Sequence, residues 1–344
     1  MKATALVVRG GDGHHTLTKD TIDVPSPAPN QALVKVLYAA QNPTDVQSFD
    51  TGVASDGAVL GCDFTGTVEA IGSNVTKLKK GDTVAGLVWG GESKGVGAFG
   101  EYTLADEKIS FRVPDGVALP EATTVPLAAC TAWLALFSKE CLAINRHPDS
   151  ETTVLVWSGS SSVGRFAIQL AALCGLRVIT TCSPKHADAL KSFGAQHVFD
   201  YHDPEVVAKI KKVAPDLKYV FDTIGTKDSS TSASEAIAEP GGTLCTVRPG
   251  RANTENVTSR TKVTDVLVWT AFLKEHRYGE FYWPPDKADH ELCAQFFEEL
   301  PEWLLGGRVK PSVPSEKQGL DSIREGFQEH RNGKVSGYKI IYKL

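Results

Sequence analysis

The sequence predicts an α/β protein in which a β-rich N-terminal part precedes a doubly wound parallel sheet. Its 344 residues exceed one average domain, so two domains are expected. Up to about residue 120, short segments alternate between apolar and polar residues and end in turn formers, which is typical of β-strands. Beyond residue 120, strand and helix patterns alternate, which indicates βαβ units and a parallel sheet.

The individual elements follow in chain order. The first part has strand patterns at 32–38, 66–72 and 82–88, and a helix is predicted over 121–137. Strands are then predicted at 153–157, 177–182, 197–199, 218–222 and 242–247, with helices at 163–174, 184–193, 204–213 and 229–238. Residues 250–290 form a long, irregular, aromatic-rich stretch, and 337–344 form a last strand.

Composition excludes several functional classes. A net charge of −5 and a pI near 6.0 give no bulk attraction to nucleic acid or anionic lipid. No apolar run approaches the ~20 residues of a membrane span. The seven cysteines are odd in number and form no Cys-x-x-Cys motif, so we expect a reduced, cytoplasmic protein.

The segment 154–164 is the most informative motif. An apolar strand enters a turn of small residues between Gly159 and Gly164, and a helix pattern follows. Such a turn lets backbone N–H groups and a helix N-terminus approach a pyrophosphate, which predicts a Rossmann-type dinucleotide site. A strand-turn-helix can also serve packing alone.

The end of the next strand indicates which dinucleotide is bound. An NAD site places an acidic residue about 20 positions after the turn, and no acid stands there. Ser183, Lys185 and His186 offer a hydroxyl and cations instead, which suits the 2′-phosphate of NADPH. Alternatively, Ser183 caps a helix that begins at Pro184. The capping role and the phosphate-binding role are compatible with each other.

Several motifs resemble the medium-chain dehydrogenase/reductase superfamily over nearly the whole chain. The segment 61–75 and the Lys-Gly-Asp-Thr-Val at 80–84 match its G-x-D-x-x-G-x-V signature, and 42–45 and 126–133 are further landmarks. The resemblance implies a GroES-like catalytic domain at 1–122, completed by 300–344. It implies a Rossmann NADPH-binding domain at 123–299.

The residues at the superfamily's zinc positions differ from zinc ligands. Zinc-dependent members place Cys, His-Glu and Cys where this chain has Asn42, Cys62-Asp63 and Leu127, and 89–108 contains no cysteine. One thiol cannot make a zinc site, so no metal is expected.

Within the zinc-free branch, the chain resembles the fungal trans-acting enoyl reductases of polyketide synthesis. The similar stretches are 154–163, 180–184, 198–201, 283–285 and 334–337. The resemblance implies hydride transfer from NADPH to an α,β-unsaturated thioester on the carrier domain of a polyketide or hybrid synthase. The implied cofactor residues are Thr44, Asp45, Val46, Gln47, Ser160, Ser161, Ser162, Val163, Ser183, Pro184, Lys185, His186, Tyr201, Val247, Arg248, Pro249, Val335 and Ser336. The implied acyl-pocket residues are Thr131, Ala132, Trp133, Leu134, Ala135, Leu136, Phe137, Ser138, Trp269, Thr270, Ala271, Phe272 and Leu273.

Three side chains are candidates for the chemistry itself. Thr131 would orient the nicotinamide or the thioester, although a Thr inside a helix can also bond its own backbone. Asn42 and Gln47 would line the same pocket. Relatives often carry Lys near this position. Gln47 can form hydrogen bonds but supplies no positive charge. Tyr38, Cys62 and water stay open as proton donors.

Three functions follow as hypotheses. The first is the trans-acting enoyl reductase; the second is a stand-alone NADPH quinone or enal reductase. The third is a non-catalytic, cofactor-binding docking or regulatory subunit. The stretch 248–256 is rich in turn formers and charge, so we expect a blunted sheet edge and a monomer.

Overall fold

The computed structural model describes residues 1–10, 15–147, 152–278 and 281–344, and the chain forms two compact units. Unit 1 comprises Met1–Leu127, Phe297–Gly306 and Pro311–Leu344, and unit 2 comprises Ala128–Phe296 and Gly307–Lys310. The domain bounds at 122 and 299 stay a prediction.

Unit 1 is a β-sheet unit with short helices. In chain order its elements are β1 (Lys2–Arg9), β2 (Thr16–Asp23), β3 (Gln31–Ala40), α1 (Pro43–Asp50), β4 (Asp63–Ile71), β5 (Thr83–Leu87), β6 (Tyr102–Asp106), β7 (Ser110–Arg112), α2 (Leu119–Thr123) and the start of α3 (Pro126–Phe137). The main sheet has the order β16-β17-β3-β4-β5-β7, with β16 (Pro314–Gln318) and β17 (Lys339–Lys343) from the C-terminus, and β6 pairs with β3. The predicted last strand is confirmed as β17, which runs antiparallel to β3.

The core of unit 1 lies behind this sheet. Its members are mainly Ala, Val, Leu and Ile, and aromatic rings meet within it: Phe99 lies edge-on to Tyr342 at 5.6 Å between ring centroids. Helix α9 (Ile323–Arg331) contributes Phe327, whose ring lies 6.2 Å from that of Phe99. Burial of these apolar surfaces fixes the C-terminal strand in place.

Unit 2 is built on a six-stranded parallel sheet. Its elements are β8 (Thr153–Trp157), α4 (Ser162–Leu173), β9 (Arg177–Cys182), α5 (Ala187–Ser192), β10 (His197–Asp200), α6 (Val206–Val213), β11 (Tyr219–Asp222), α7 (Lys227–Glu235), β12 (Gly242–Thr246), β13 (Thr261–Asp265), β14 (His276–Tyr278), β15 (Phe281–Trp283) and most of α8 (Lys287–Leu305). The strand order is β10-β9-β8-β11-β12-β13, the doubly wound order expected of a Rossmann fold. All five residues of β8 are buried, as a central parallel strand requires.

Two predicted helices are present but differ in detail. The helix over 121–137 is two helices, α2 and α3, separated at Thr124 and Val125. Pro126 explains the break, because the residue before a proline avoids the helical region. The 184–193 helix also begins as a 3₁₀ turn over Pro184–His186 before α5.

The stretch 250–290 is less irregular than predicted. Its described residues include the sixth strand, β13, a 3₁₀ turn at Val268–Ala271 and the strands β14 and β15; residues 279 and 280 lie outside the described part. The prediction that residues 248–256 form the edge of the sheet was therefore wrong. The edge strand is β13, which pairs with β12. The monomer stays a prediction without that support.

Within the described ranges, no helix combines the length and apolarity that a membrane crossing needs.

Candidate functional site

The turn between β8 and α4 has no room for side chains at its two glycines. A Cβ on Gly159 would lie 2.2 Å from Thr180 Oγ1, and that hydroxyl is fixed by its bond to the Val156 carbonyl at 2.7 Å. A Cβ on Gly164 would lie 2.6 Å from the Ser158 carbonyl oxygen. The two glycines therefore allow the turn to pack closely against β9 and the start of α4, which is the tight strand-turn-helix geometry that dinucleotide sites use.

The serines of this turn have different roles. Ser161 Oγ accepts from the Gly164 N–H at 2.9 Å and donates to Thr223 Oγ1 at 2.8 Å, so it caps α4 and ties the turn to the sheet. Ser160, Ser162 and Val163 are partly exposed. Together with the N-terminus of the twelve-residue α4, they fit the phosphates of a nicotinamide dinucleotide.

Ser183 does not cap the following turn, so that alternative was wrong. It stands at the N-cap position without a side-chain cap bond, and its Oγ lies 3.3 Å from the Tyr201 hydroxyl. Tyr201 is 39% exposed, and its ring centroid lies 4.0 Å from that of His202. The structure thus brings the predicted residues Ser183 and Tyr201 together.

Basic side chains follow Ser183 in the chain and lie near one another. Lys185 is exposed, and the pKa of His186 is lowered by burial, by Lys185 and by Arg165. Arg165 follows Gly164 in α4, and its guanidinium lies 5.6 Å from the centre of the Phe193 ring. The sequence analysis did not single out Arg165, although its place one residue after the last turn glycine was a usable signal.

The sequence analysis also missed Asp200. It ends β10 directly opposite Cys182 in the parallel register, close to where a ribose-binding acid would stand. Its Oδ1 accepts from the His202 N–H at 3.0 Å and lies 3.0 Å from His202 Nδ1. The dinucleotide motif predicts the acid at the end of β9, whereas this carboxylate comes from the neighbouring strand, β10.

The segment after β12 is held by its own side chains. Arg248 Nε donates to the Gly225 carbonyl at 3.3 Å, and the Arg248 N–H donates to Thr246 Oγ1 at 3.3 Å. Val247, Arg248 and Pro249 are all partly exposed.

In unit 1, the predicted cofactor residues Thr44 to Gln47 lie on α1. The Asp45 carboxylate is buried and accepts from the Asn42 N–H at 2.7 Å, from the Gly61 N–H at 3.1 Å and from the Cys62 thiol at 3.2 Å. Burial raises the pKa of Asp45 to about 7, although these bonds act in the opposite direction. Asp45 and Val46 are therefore interior residues, whereas Thr44 and Gln47 are partly exposed.

Asn42 and Cys62 are engaged inside the same unit. Asn42 is 1% exposed, and its Nδ2 donates to Asp63 Oδ2 at 2.8 Å. Burial and Asp45 raise the pKa of the Cys62 thiol, so Cys62 holds its proton toward Asp45. Direct roles for Asn42 and Cys62 in the chemistry stay predictions. Of the last cofactor pair, Val335 packs against the core and Ser336 is exposed.

Of the predicted acyl-pocket residues 131–138, all but Ser138 belong to the buried helix α3, and Ser138 directly follows it. Thr131 is 7% exposed, and Trp133 is fully buried with its indole N–H donating to the Leu292 carbonyl at 3.2 Å. The Trp133 ring packs on Phe137 at 4.5 Å between centroids. In unit 2 this helix therefore forms core, and the role of Thr131 stays a prediction.

A cavity of about 540 Å³ lies in unit 2 beside the second predicted acyl segment. Thr270 lines it and donates to Asp289 Oδ2 at 2.6 Å. Burial raises the pKa of Asp289. The apolar lining residues include Val266, Leu267, Trp283 and Pro284. The charged lining residues are Glu140, Arg251, Lys262, Asp265, Asp286 and Asp289, so the cavity is strongly polar on part of its wall.

The three positions that hold zinc ligands in metal-dependent members meet at one carboxylate. Asp63 Oδ2 accepts from Lys339 Nζ at 2.5 Å, and Oδ1 accepts from the Leu127 N–H at 2.7 Å. The ammonium group of Lys339 already neutralises this carboxylate. The Asn42 amide and the Leu127 side chain supply neither a thiolate nor an imidazole. The residues present do not fit zinc. Among the described residues, no group of three or more His, Cys, Asp or Glu is placed to hold a metal.

We therefore expect the purified protein to contain no stoichiometric zinc. Elemental analysis after dialysis should give far less than one zinc per chain. One zinc per chain, removed by a chelator together with activity, would contradict this interpretation of the Asp63 surroundings.

Comparisons with known proteins agree with this geometry. Family models match for the alcohol dehydrogenase GroES-like domain at residues 28–115 and for the zinc-binding dehydrogenase at residues 162–269. The trans-enoyl reductase eqxC of Fusarium heterosporum is 33% identical over 352 residues, which cover 99% of this chain and 98% of eqxC. The trans-enoyl reductase mpsG of Macrophomina phaseolina is 33% identical over 354 residues, 99% and 98% of the two chains. An alcohol dehydrogenase superfamily protein from Novosphingobium aromaticivorans, 23% identical, shares the fold over 99% of both chains with a TM-score of 0.77.

Proposed function

The chain belongs to the medium-chain dehydrogenase/reductase superfamily and, within it, to the trans-enoyl reductases, and from this premise we propose that it reduces an α,β-unsaturated polyketide thioester held by a partner synthase. The observation that carries the proposal is the 33% sequence identity to a trans-enoyl reductase over 99% of this chain. The tight strand-turn-helix at Gly159 and Gly164, which can hold a dinucleotide, adds to it. The superfamily implies a nicotinamide cofactor.

The cofactor we propose is NADPH. Lys185 is exposed beside Ser183 and Tyr201, Arg165 adds a second cation near His186, and His186 can take up a proton when a phosphate binds. These groups suit a ribose 2′-phosphate. Asp200, the nearby acid, is engaged by His202, which weakens its competition for a ribose hydroxyl.

The protein's part in the reaction is to position reactants and exclude water. NADPH, when bound, supplies a hydride for the β-carbon of the alkene, and the α-carbon takes a proton. The Gly159–Gly164 turn and the Ser183 region hold the phosphates, and Gln47 and Ser336 are exposed enough to reach the nicotinamide half. Thr131 orients the reacting groups in this proposal.

Binding of NADPH is expected to depend on pH through His186. The pKa of His186 is lowered in the free protein, and a bound phosphate favours the protonated imidazole, so NADPH binding takes up a proton. Affinity for NADPH should therefore rise as the pH falls through the ordinary histidine pKa of about 6.5 and on toward the lower pKa of His186 in the free protein. Affinity for NADH should change little.

Fluorescence titration of both cofactors across this range checks the expectation. His186→Asn is the matched control, because it keeps a polar side chain and removes the titration. An equal pH slope for NADPH and NADH, or an unchanged slope in His186→Asn, would exclude His186 from the phosphate site.

The partner we propose is the carrier domain of a polyketide or hybrid synthase, met in the cytoplasm by a monomer of this chain. None of the seven cysteines, all of which are described, forms a disulfide, which fits a reducing compartment. Contacts with the carrier and its pantetheine arm would supply binding energy for orienting the alkene.

Turnover assays with three substrates test the proposed function. The protein and NADPH are combined with a carrier-bound enoyl thioester, a free enal or a quinone. Preference for the carrier-bound thioester supports the proposal. Preference for the enal or the quinone favours a stand-alone reductase, and NADPH binding without any turnover favours a docking subunit.

A further inference from the structure

One buried carboxylate ties together three segments of unit 1. Asp63, the first residue of β4, is fully buried and accepts three hydrogen bonds. Its Oδ2 accepts from Lys339 Nζ at 2.5 Å and from Asn42 Nδ2 at 2.8 Å, and its Oδ1 accepts from the Leu127 N–H at 2.7 Å. We name Asp63, Asn42, Leu127 and Lys339 the Asp63 cluster.

Each donor in the cluster stands beside a segment with a proposed role in reduction. Asn42 precedes α1, which carries Thr44 and Gln47. Leu127 is the second residue of α3, which carries Thr131. Lys339 begins β17, three residues after Ser336. The carboxylate therefore fixes the start of α1, the first turn of α3 and the start of β17 relative to one acceptor.

Stability alone does not account for this arrangement. The side chains of Lys339 and Asp63 are 2% and 0% exposed, so both charges have lost their water. A buried ion pair can often be replaced by apolar residues at no cost in stability. What apolar residues cannot supply is direction, because the two carboxylate oxygens accept from different segments along fixed axes.

Lys339 is held from a second side as well. Its Nζ also donates to the Thr124 carbonyl at 3.3 Å, in the break between α2 and α3. The ammonium thus connects the C-terminal strand to the chain just before α3, while Asp63 connects it to α1.

We propose that Asp63 and Lys339 are positioning residues for the reduction, which set the placement of Thr44, Gln47 and Ser336 around the nicotinamide half of the cofactor. This inference rests on the proposed function. Neither residue touches the reactants in this account; both act through the segments that they hold.

The test is the double variant Asp63→Asn/Lys339→Met, which removes the ion pair without leaving a single buried charge. We expect kcat/KM to fall about 100-fold, the cost of a small misplacement, and the Kd for NADPH to rise roughly 10-fold. The Kd for 2′,5′-ADP, which has only the adenosine half, should stay unchanged, because Ser183 to His186 belong to unit 2.

Two further variants make the result interpretable. Lys317→Met/Glu329→Gln removes another ion pair of unit 1, with 2.8 Å between Lys317 Nζ and Glu329 Oε1, and should leave turnover and both affinities unchanged. Asp63→Glu keeps the charge but moves the acceptor, so it should fold and still lose roughly 10-fold in NADPH affinity, with 2′,5′-ADP unaffected.

Wild-type NADPH affinity in both Asp63 variants would overturn the inference. Parallel loss of NADPH and 2′,5′-ADP binding would also overturn it, in favour of a general loss of structure. If the wild-type chain binds NADPH but reduces no enoyl thioester, the proposed function fails. The positioning role is then still tested by whether the Asp63 variants lose affinity for NADPH and keep their affinity for 2′,5′-ADP.

Discussion

Replacement of Lys339 by methionine alone is expected to lower the free energy of unfolding by about 3–5 kcal/mol. The variant leaves the Asp63 carboxylate fully buried with no opposite charge within contact, since Lys339 Nζ at 2.5 Å is its cationic partner. Asn42 and Leu127 would still donate to it, but two neutral donors do not replace an ammonium ion.

Chemical denaturation of the wild type, Lys339→Met, Asp63→Asn and the double variant measures this effect. The double variant should recover most of the loss, because it restores charge balance in the interior. Lys77→Met is the surface control: its pair with Glu298 has side chains 58% and 68% exposed, so the change should stay below about 1 kcal/mol. Equal free energies of unfolding for Lys339→Met and Lys77→Met would contradict a buried ion pair between Lys339 and Asp63.

Replacement of Lys185 by alanine is expected to raise the Kd for NADPH by about 10- to 100-fold, which is the loss of one charge-assisted hydrogen bond. The Kd for NADH should stay nearly the same, because NADH has a hydroxyl where NADPH has the phosphate. Lys185 is exposed in the free protein, so the substitution costs little stability.

Lys191→Ala is the matched control for this prediction. Lys191 lies on α5 in the same unit and is exposed, with its Nζ 3.9 Å from Asp188. It should leave both affinities unchanged. An equal loss of NADPH and NADH affinity in Lys185→Ala would remove Lys185 from the 2′-phosphate site.

The sequence predicts the strands and the nucleotide turn well, because both are decided locally. Residues 153–157 form a continuous apolar run before small residues, and only a buried strand followed by a tight turn suits that pattern. The edge strand β13 was missed because its sequence, Thr-Lys-Val-Thr-Asp, is polar enough to read as loop. Its strand conformation depends on pairing with β12.

The site is less predictable because its contacts join distant parts of the chain. Asp63 could be identified from its motif as a replaced zinc-ligand position, but its partner Lys339 is 276 residues away. The two meet only because β17 pairs with β3, which in turn pairs with β4. Likewise, the Ser183 hydroxyl contacts the Tyr201 hydroxyl instead of capping the following turn. This contact depends on the pairing of neighbouring strands and is not encoded in the local sequence.

Transfer of deuterium from labelled NADPH to an enoyl thioester tests the central claim most directly. The protein is incubated with a carrier-bound enoyl thioester and with NADPH deuterated on either face of nicotinamide C4, and the released acyl chain is analysed by mass spectrometry and NMR. We predict a saturated product with one deuterium at the β-carbon from one of the two labelled cofactors and none at the α-carbon. An unreduced thioester, or a reduced product whose β-carbon carries no deuterium from either cofactor, would contradict the account.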